Sequence, residues 1–491
     1  MRRTEEQLQM PAIFQILNST CSNSPLYSLL CSLYMSEETL KIQNSYRNII
    51  QLALPISVAI FIPQISMFLN TLFLGYYQPT QGNSVAEDLL AASGIAGIYH
   101  LTMVMFGYGL VSGMLMLMSR KAGEENKSGL MRIFSNGIVL CIVFGSALSF
   151  ISFLLSPYLF QTFIHNPNVQ RLAVSFIQIR IWAVPIMMLC QLSNSYYIAT
   201  SQSKRIIYGS ASQALSNVLF DYLLIFGIGF FPEMGLQGAA LASVISEIIF
   251  LLVAYTIFFK KQDAGSIRSI FSNRIDWVLQ KEILIKASPL MVQYLLSIGA
   301  WEVFFIFVEH LGKSESAVSQ ILRSVFGIVG VAAWALASTC NSMVSNLIGQ
   351  NRQAEVISMI KKISMVSFGF ALILGLPLFL FPQFFLGLLT QDQHLVAVGY
   401  RSLQIVVVAT WMLSISTIYF NGVVGTGNTR MNMIFEFIAI ILYLIYCAYV
   451  IEYKKLPLPF AWGSEFVYWL SLFGMSTFYL HRTFTLKQVK R

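Results

Sequence analysis

The chain has 491 residues, 56% hydrophobic and only 11% charged, with a mean hydropathy of +0.67 and a formal net charge of +9. Soluble proteins of this size carry roughly 25% charged residues, so the composition excludes a soluble globular domain and points to a polytopic helical membrane protein. Nor does the positive charge form a nucleic-acid footprint: most of the 31 Lys and Arg fall in loops and tails on one side of the hydropathy topology, the bias of cytoplasmic loops, which puts both termini in the cytoplasm.

Residues 1–45 read as a polar tail without a signal cleavage site, and Met35 offers an alternative start, so residues 1–34 are expected to be dispensable. Twelve apolar runs follow, at about 49–75, 89–118, 131–156, 170–199, 205–228, 236–259, 283–309, 316–346, 356–381, 395–423, 430–452 and 460–481. Pro55, Pro63, Pro185, Pro289 and Pro377 fall inside these runs or at their starts and are expected to interrupt local backbone bonding. A basic connector at 260–282, with an amphipathic turn around Ile275–Leu279, separates a first lobe (46–259) from a second (283–482), and a basic tail (483–491) ends the chain.

The two lobes repeat each other. Ala199-Thr-Ser-Gln-Ser-Lys204 matches Gly425-Thr-Gly-Asn-Thr-Arg430, and at the same spacing Gly123 matches Gly349, each in a short basic loop. Leu54-Pro55 and Ser288-Pro289 open the lobes alike. The expected fold is therefore an all-α polytopic membrane protein with twelve transmembrane helices in two six-helix bundles. Because each half has an even number of spans, the bundles are related by a pseudo-two-fold axis along the membrane normal, with a central cavity between them.

Asp221 is the sharpest chemical feature. It interrupts an apolar run, with Asn217 one helical turn before it and Gln213 a turn before that, on one helix face. A carboxylate and an amide oxygen are hard ligands suited to Na⁺, or an acceptor for a proton, and Ser243 in the next span adds a hydroxyl. Intramembrane carboxylates mark ion and substrate paths; the competing reading is a structural acid tying spans together. Glu302, deep in the seventh span beside Trp301, is the second candidate, with a structural hydrogen bond as its alternative. Glu247 extends the first-half cluster or serves structure. Arg180 and Arg323 read as staples between helices, and Glu436 is expected to snorkel from the start of the eleventh span. Asn70 is a lesser polar candidate near the outer end of the first span. Trp301, Gln213, Trp411, Thr417 and Tyr419 would suit an amphipathic cargo, though packing is the plainer reading of the aromatic run.

Enzymatic readings find little support. Gly312-Lys-Ser314 resembles the end of a phosphate-binding loop, but Phe307 stands where that motif needs glycine. The five histidines are scattered, the cysteines have no metal-type spacing, and no cofactor is implied. Transport by such a chain would be driven by an ion gradient or by the substrate's own.

Leu54-Pro55, Asn70-Thr-Leu-Phe-Leu-Gly75, Ser216-Asn-Val-Leu-Phe-Asp-Tyr-Leu-Leu-Ile-Phe-Gly227, Gly235-Leu-Gln-Gly-Ala-Ala-Leu-Ala-Ser-Val-Ile-Ser246 and the two glycine-centred loops, in this order, resemble the multidrug and toxic compound extrusion (MATE) family over about 46–482. The resemblance implies a bacterial inner-membrane antiporter that exports organic, often cationic, compounds in exchange for Na⁺ or H⁺ by alternating access. A small amphipathic substrate, the coupling cation and the lipid bilayer would be its partners, and it would act as a monomer. The resemblance also implies a first-lobe cation site, with possible Na⁺, at Asp221, Asn217 and Ser243, and a cation-linked acid at Glu302. Two positions depart from the family pattern: Asn70 stands where many relatives carry Asp, and span ten offers Leu413 and hydroxyls where an acidic partner for Glu302 would be. The Gly-rich stretch alone also fits a lipid-linked oligosaccharide flippase, which would want several cationic residues facing the cavity.

Overall fold

The computed structural model describes residues 40–77, 86–261, 275–390 and 392–484. All regular structure among them is helical. The first half contains α1 (Tyr46–Tyr76), α2 (Ala86–Gly123), α3 (Lys127–Phe163), α4 (Pro167–Arg180), α5 (Val184–Ala199), α6 (Lys204–Phe226) and α7 (Gly235–Lys261). The second contains α8 (Trp277–Glu309), α9 (Lys313–Gly349), α10 (Val356–Leu380), α11 (Pro382–Leu389), α12 (Gln393–Gly425), α13 (Thr429–Cys447), α14 (Leu458–Trp462) and α15 (Ser464–Phe484). Ten helical stretches among the described residues are long and apolar enough to cross a membrane. The expected fifth and twelfth spans, α6 and α15, are not among them. Ser210, Ser212, Gln213, Ser216, Asn217 and Asp221 lower the hydropathy of α6, and Glu465, Ser471 and Ser476 that of α15.

Several helices differ from the expected spans. The fourth is broken at a 3₁₀ turn, Ile181–Ala183, two residues before Pro185, whose ring cannot continue the preceding turn's bonding. The eleventh ends in a π-helical turn, Ala448–Tyr453. The seventh starts earlier than expected: the amphipathic turn is the beginning of α8, with the Asp276 side chain accepting from the backbone N–H of Val278 and Leu279, both at 3.1 Å. Most of the connector, residues 1–39 and residues 485–491 lie outside the described residues. The last residues of the expected tail are built into the fold, since the Ile42 N–H donates to Asn346 Oδ1 at 3.0 Å and Lys41 pairs with Glu125 at 2.8 Å.

Two loops of each half end their helices the same way. The Asn126 N–H bonds the Lys121 carbonyl at 3.0 Å around left-handed Glu125, and the Arg352 N–H bonds the Leu347 carbonyl at 2.9 Å around left-handed Asn351. The loops after α5 and α12 likewise turn on left-handed Ser201 and Gly427, with the N–H of each bonding the carbonyl three residues back, Ile198 and Val424. These turns close off helix-end carbonyls that would otherwise lack partners. They recur at the spacing that relates Gly123 to Gly349.

That glycine pair is where the halves meet most closely. A Cβ on Gly123 would lie 2.1 Å from the Asn346 carbonyl oxygen, and one on Gly349 would lie 2.2 Å from the Arg120 carbonyl oxygen. The contact is reciprocal, because Arg120 and Asn346 are themselves related by the repeat spacing. Around it Ser119 and Ser342 share a hydrogen bond of 2.8 Å and Arg120 donates to the Thr426 carbonyl at 2.9 Å. Arg132 pairs with Asp276 at 2.5 Å. These hydrogen bonds and ion pairs between the halves lie toward the basic end of the molecule.

The 38 residues of α2 extend about 57 Å, far more than the ~30 Å hydrocarbon layer, so part of this helix projects beyond the membrane core. Gly349→Ala is expected to destabilise the purified protein by about 1–3 kcal/mol through overpacking against backbone. A lower thermal unfolding midpoint checks this.

Candidate functional site

The first-half site is built by α1, α6 and α7. Asn217 Nδ2 reaches Ser243 Oγ at 3.5 Å, a long hydrogen bond that fixes the register of α6 against antiparallel α7. Gly238 allows this approach, since a Cβ there would sit 2.6 Å from the Leu224 carbonyl oxygen. At this register Gly238 to Ala242 lie level with Asp221, and none has a side-chain donor. Asp221 is consequently fully buried, and neither of its carboxylate oxygens has a hydrogen-bond partner. Such a group is costly unless something binds it.

Alongside, α1 runs parallel to α6. Ser66 donates to the Ala214 carbonyl at 3.3 Å, and the rings of Phe73 and Tyr222 lie 6.1 Å apart. Half-buried Asn70 sits between these contacts, level with Asn217 and Asp221 but not hydrogen-bonded to the carboxylate. Gln213 is also half-buried, one turn before Asn217.

Arg180, at the end of α4, ion-pairs with Glu247 of α7 at 2.5 Å and lies within electrostatic reach of Asp221 and His100. One guanidinium nitrogen of Arg180, one oxygen of Glu247 and Nε2 of His100 are buried without partners, giving the first half an under-bonded polar cluster. His100 lies inside α2 and is buried.

In the second half, Glu302 does not stand as a bare acid. Arg323 of α9 pairs with it at 2.9 Å, and the guanidinium stacks 4.8 Å from the ring centres of both Trp301 and Phe305. The expected cargo residues are packed. Trp411 Nε1 donates to the Ala371 carbonyl at 3.0 Å, Tyr419 packs edge-to-face with Phe473 with ring centres 5.0 Å apart, and Thr417 is buried. Glu436 does not snorkel: it is fully buried, accepting from Ser297 and, at 2.6 Å, from the Tyr468 hydroxyl. Buried Glu465, which the hydropathy reading passed over, accepts from Trp469 Nε1 at 2.9 Å. Its spacing to Tyr468 and Trp469, three and four residues on, is the sequence signal that marks one helix face.

Fold and site together define a polytopic helical membrane protein that carries a bare carboxylate in its interior. The MatE family model matches residues 55–223 and 289–450, one stretch in each half. The chain belongs to the MatE family.

A relative from Thermotoga maritima, named "Probable multidrug resistance protein NorM", is 27% identical over 50% of this chain and 53% of its own, so the chain matches about half its length. A protein of the same name from Synechocystis is 24% identical over 70% of this chain and 73% of its own. In fold the chain is similar to a solved structure described as the outward-facing conformation of a multidrug resistance MATE family transporter, with a TM-score of 0.81 at 16% identity over 91% of this chain and 98% of that one.

The two arginine pairs differ in exposure: the Glu247 side chain is 2% exposed and that of Glu302 24%. Glu247→Gln leaves a buried cation unpaired and is expected to cost about 3–5 kcal/mol, with Glu302→Gln costing less. Thermal unfolding midpoints of the two variants check the order.

Proposed function

We propose that this chain is a secondary antiporter that exports amphipathic, organic, cationic compounds in exchange for Na⁺ or H⁺ by alternating access. Asp221 is the coupling group, with Asn217, Ser243 and Asn70 around it. The observation that carries this reading is the buried Asp221 carboxylate with both oxygens unbonded. A cation arriving there neutralises the charge, whereas an arginine-paired acid already has its counter-ion. With Asn70 neutral, the three side chains at the α6–α7 contact carry one formal negative charge, suited to one monovalent cation. No further cofactor is needed.

Alternating access fits the way the halves are stitched. The repeated turns and the reciprocal contact at Gly123 and Gly349 support two six-helix bundles, 46–259 and 283–482, about a pseudo-two-fold axis along the membrane normal. Hydrogen bonds and ion pairs between the halves at the basic end fit a state open at the other. By the positive-inside rule the basic end and both termini are cytoplasmic, in a bacterial inner membrane, and the open side faces outward. The chain works as a monomer. Cation at Asp221 and cargo between the bundles favour opposite-facing states, and only such differential binding lets one drive the other. Gln213, Trp301, Trp411, Thr417 and Tyr419 contribute to the cargo path once the bundles rearrange. The Glu302–Arg323 pair would open in the same transition.

The lipid-linked oligosaccharide flippase is the weaker reading. Its pyrophosphate would need free cationic groups, and Arg180 and Arg323 are both paired with carboxylates.

In cells deprived of their own efflux pumps, Asp221→Asn is expected to reach the membrane in normal amounts and to lower resistance to organic cations to the empty-vector level. Undiminished resistance would contradict the assignment.

A further inference from the structure

We propose that the second half holds a separate proton-binding site, in which Glu436 of α13 carries the proton and Asn432, Ser297 and Tyr468 position its carboxyl. Asn432 and Glu436 are both fully buried and stand one turn apart, on one face of α13. Gln293 and Ser297 stand one turn apart on α8 and meet them as two rungs. Asn432 Nδ2 donates to Gln293 Oε1 at 2.6 Å, and the Ser297 hydroxyl donates to Glu436 Oε1. Tyr468 of α15 donates to the same oxygen at 2.6 Å. Glu436 Oε2 and Asn432 Oδ1 are left buried without partners.

The two vacant oxygens favour a proton, with Na⁺ the alternative that the test below separates. A carboxylate bonded through one oxygen only, with no ion pair to it among the described residues, must be neutralised by something it binds. Metal cations such as Ca²⁺ and Mg²⁺ take about six or more oxygens, whereas here the other nearby oxygens already hold hydrogen bonds. A proton needs one oxygen to sit on and one to point at. Glu436 Oε2 supplies the first, and Asn432 Oδ1, on the next rung, is the vacant acceptor.

The titratable groups facing Glu436 are Tyr294 of α8 and Tyr468 of α15, with Glu465 beyond Tyr468. Tyr443 of α13 closes the far side, its ring 5.8 Å from that of Tyr468.

The arrangement repeats the first-half site in outline. Asn217 and Asp221 on α6 have the same spacing as Asn432 and Glu436 on α13, and each helix follows one of the matching turns. The second pair lies about three turns nearer its helix start, so the two acids sit at different depths. Residues at the repeat spacing from Asn217 and Asp221 are Tyr443 and Cys447, which is why direct superposition of the halves conceals the pair. Glu436 does not depend on the transport role of Asp221.

Infrared difference spectra of the full-length protein, stepped from mildly acid to mildly alkaline pH in choline chloride, test the assignment directly. A protonated-carboxyl band is expected to disappear as pH rises, to remain in Asp221→Asn, to be missing in Glu436→Gln, and to be indifferent to replacing choline with Na⁺. A band unchanged by pH, one retained in Glu436→Gln, or one removed by Na⁺ at fixed pH would overturn it. If Glu436→Gln does not fold, labelling wild-type protein with a hydrophobic carbodiimide and mapping the peptides answers the same question. Modification at Glu436 should fall several-fold from acid to alkaline pH; absent or pH-independent modification there overturns the proposal.

Discussion

An ionisable group in the hydrocarbon layer is the constraint around which this molecule is arranged. An Asp at the centre of a membrane helix costs about 2.5–3.5 kcal/mol on insertion, and loses more when its oxygens find no donor. Asp221 has none, because the level of α7 beside it is built from Gly238 and alanines. The same small residues bring α6 and α7 close enough for Asn217 and Ser243 to meet. One stretch of sequence thus creates the close approach and withholds the hydrogen bonds, leaving a site whose stability depends on what it binds.

The other buried acids resolve the same conflict differently. Glu247 and Glu302 each take an arginine, and the exchange is largely internal: two charges leave water together and neutralise one another. Glu465 accepts from an indole, and Glu436 places two hydroxyl donors on one oxygen while leaving the other bare. The acids therefore fall along a series from paired to unsatisfied. Only the unsatisfied end can respond to ions without first breaking a bond, which is why Asp221 and Glu436 rather than Glu302 carry the functional argument.

Much of this was legible in the sequence, and the misses have physical reasons. Long apolar runs and the repeated loops depend on local composition and turn chemistry, so the helices, the Gly123/Gly349 correspondence and Asp221 could be read directly. The break at Ile181–Ala183 could not be fixed to the residue, because Pro185 bends or restarts a helix according to its neighbours. Partners lie beyond local reading altogether. Nothing in span seven announces that Glu302 meets Arg323, and nothing near the start of α13 announces Ser297 and Tyr468, so a buried Glu436 looked like an acid near an interface. The spacing of Asn432 to Glu436, shared with Asn217 and Asp221, was a legible signal, hidden because the two pairs are offset along their helices.

Occupancy of Asp221 is proposed to drive transport. Efflux of a fluorescent organic cation from proteoliposomes, under an imposed Na⁺ gradient in one set and an imposed pH gradient in another, tests it most directly. Wild-type protein should follow at least one gradient and Asp221→Asn neither. A variant that follows either gradient at the wild-type rate would contradict the account.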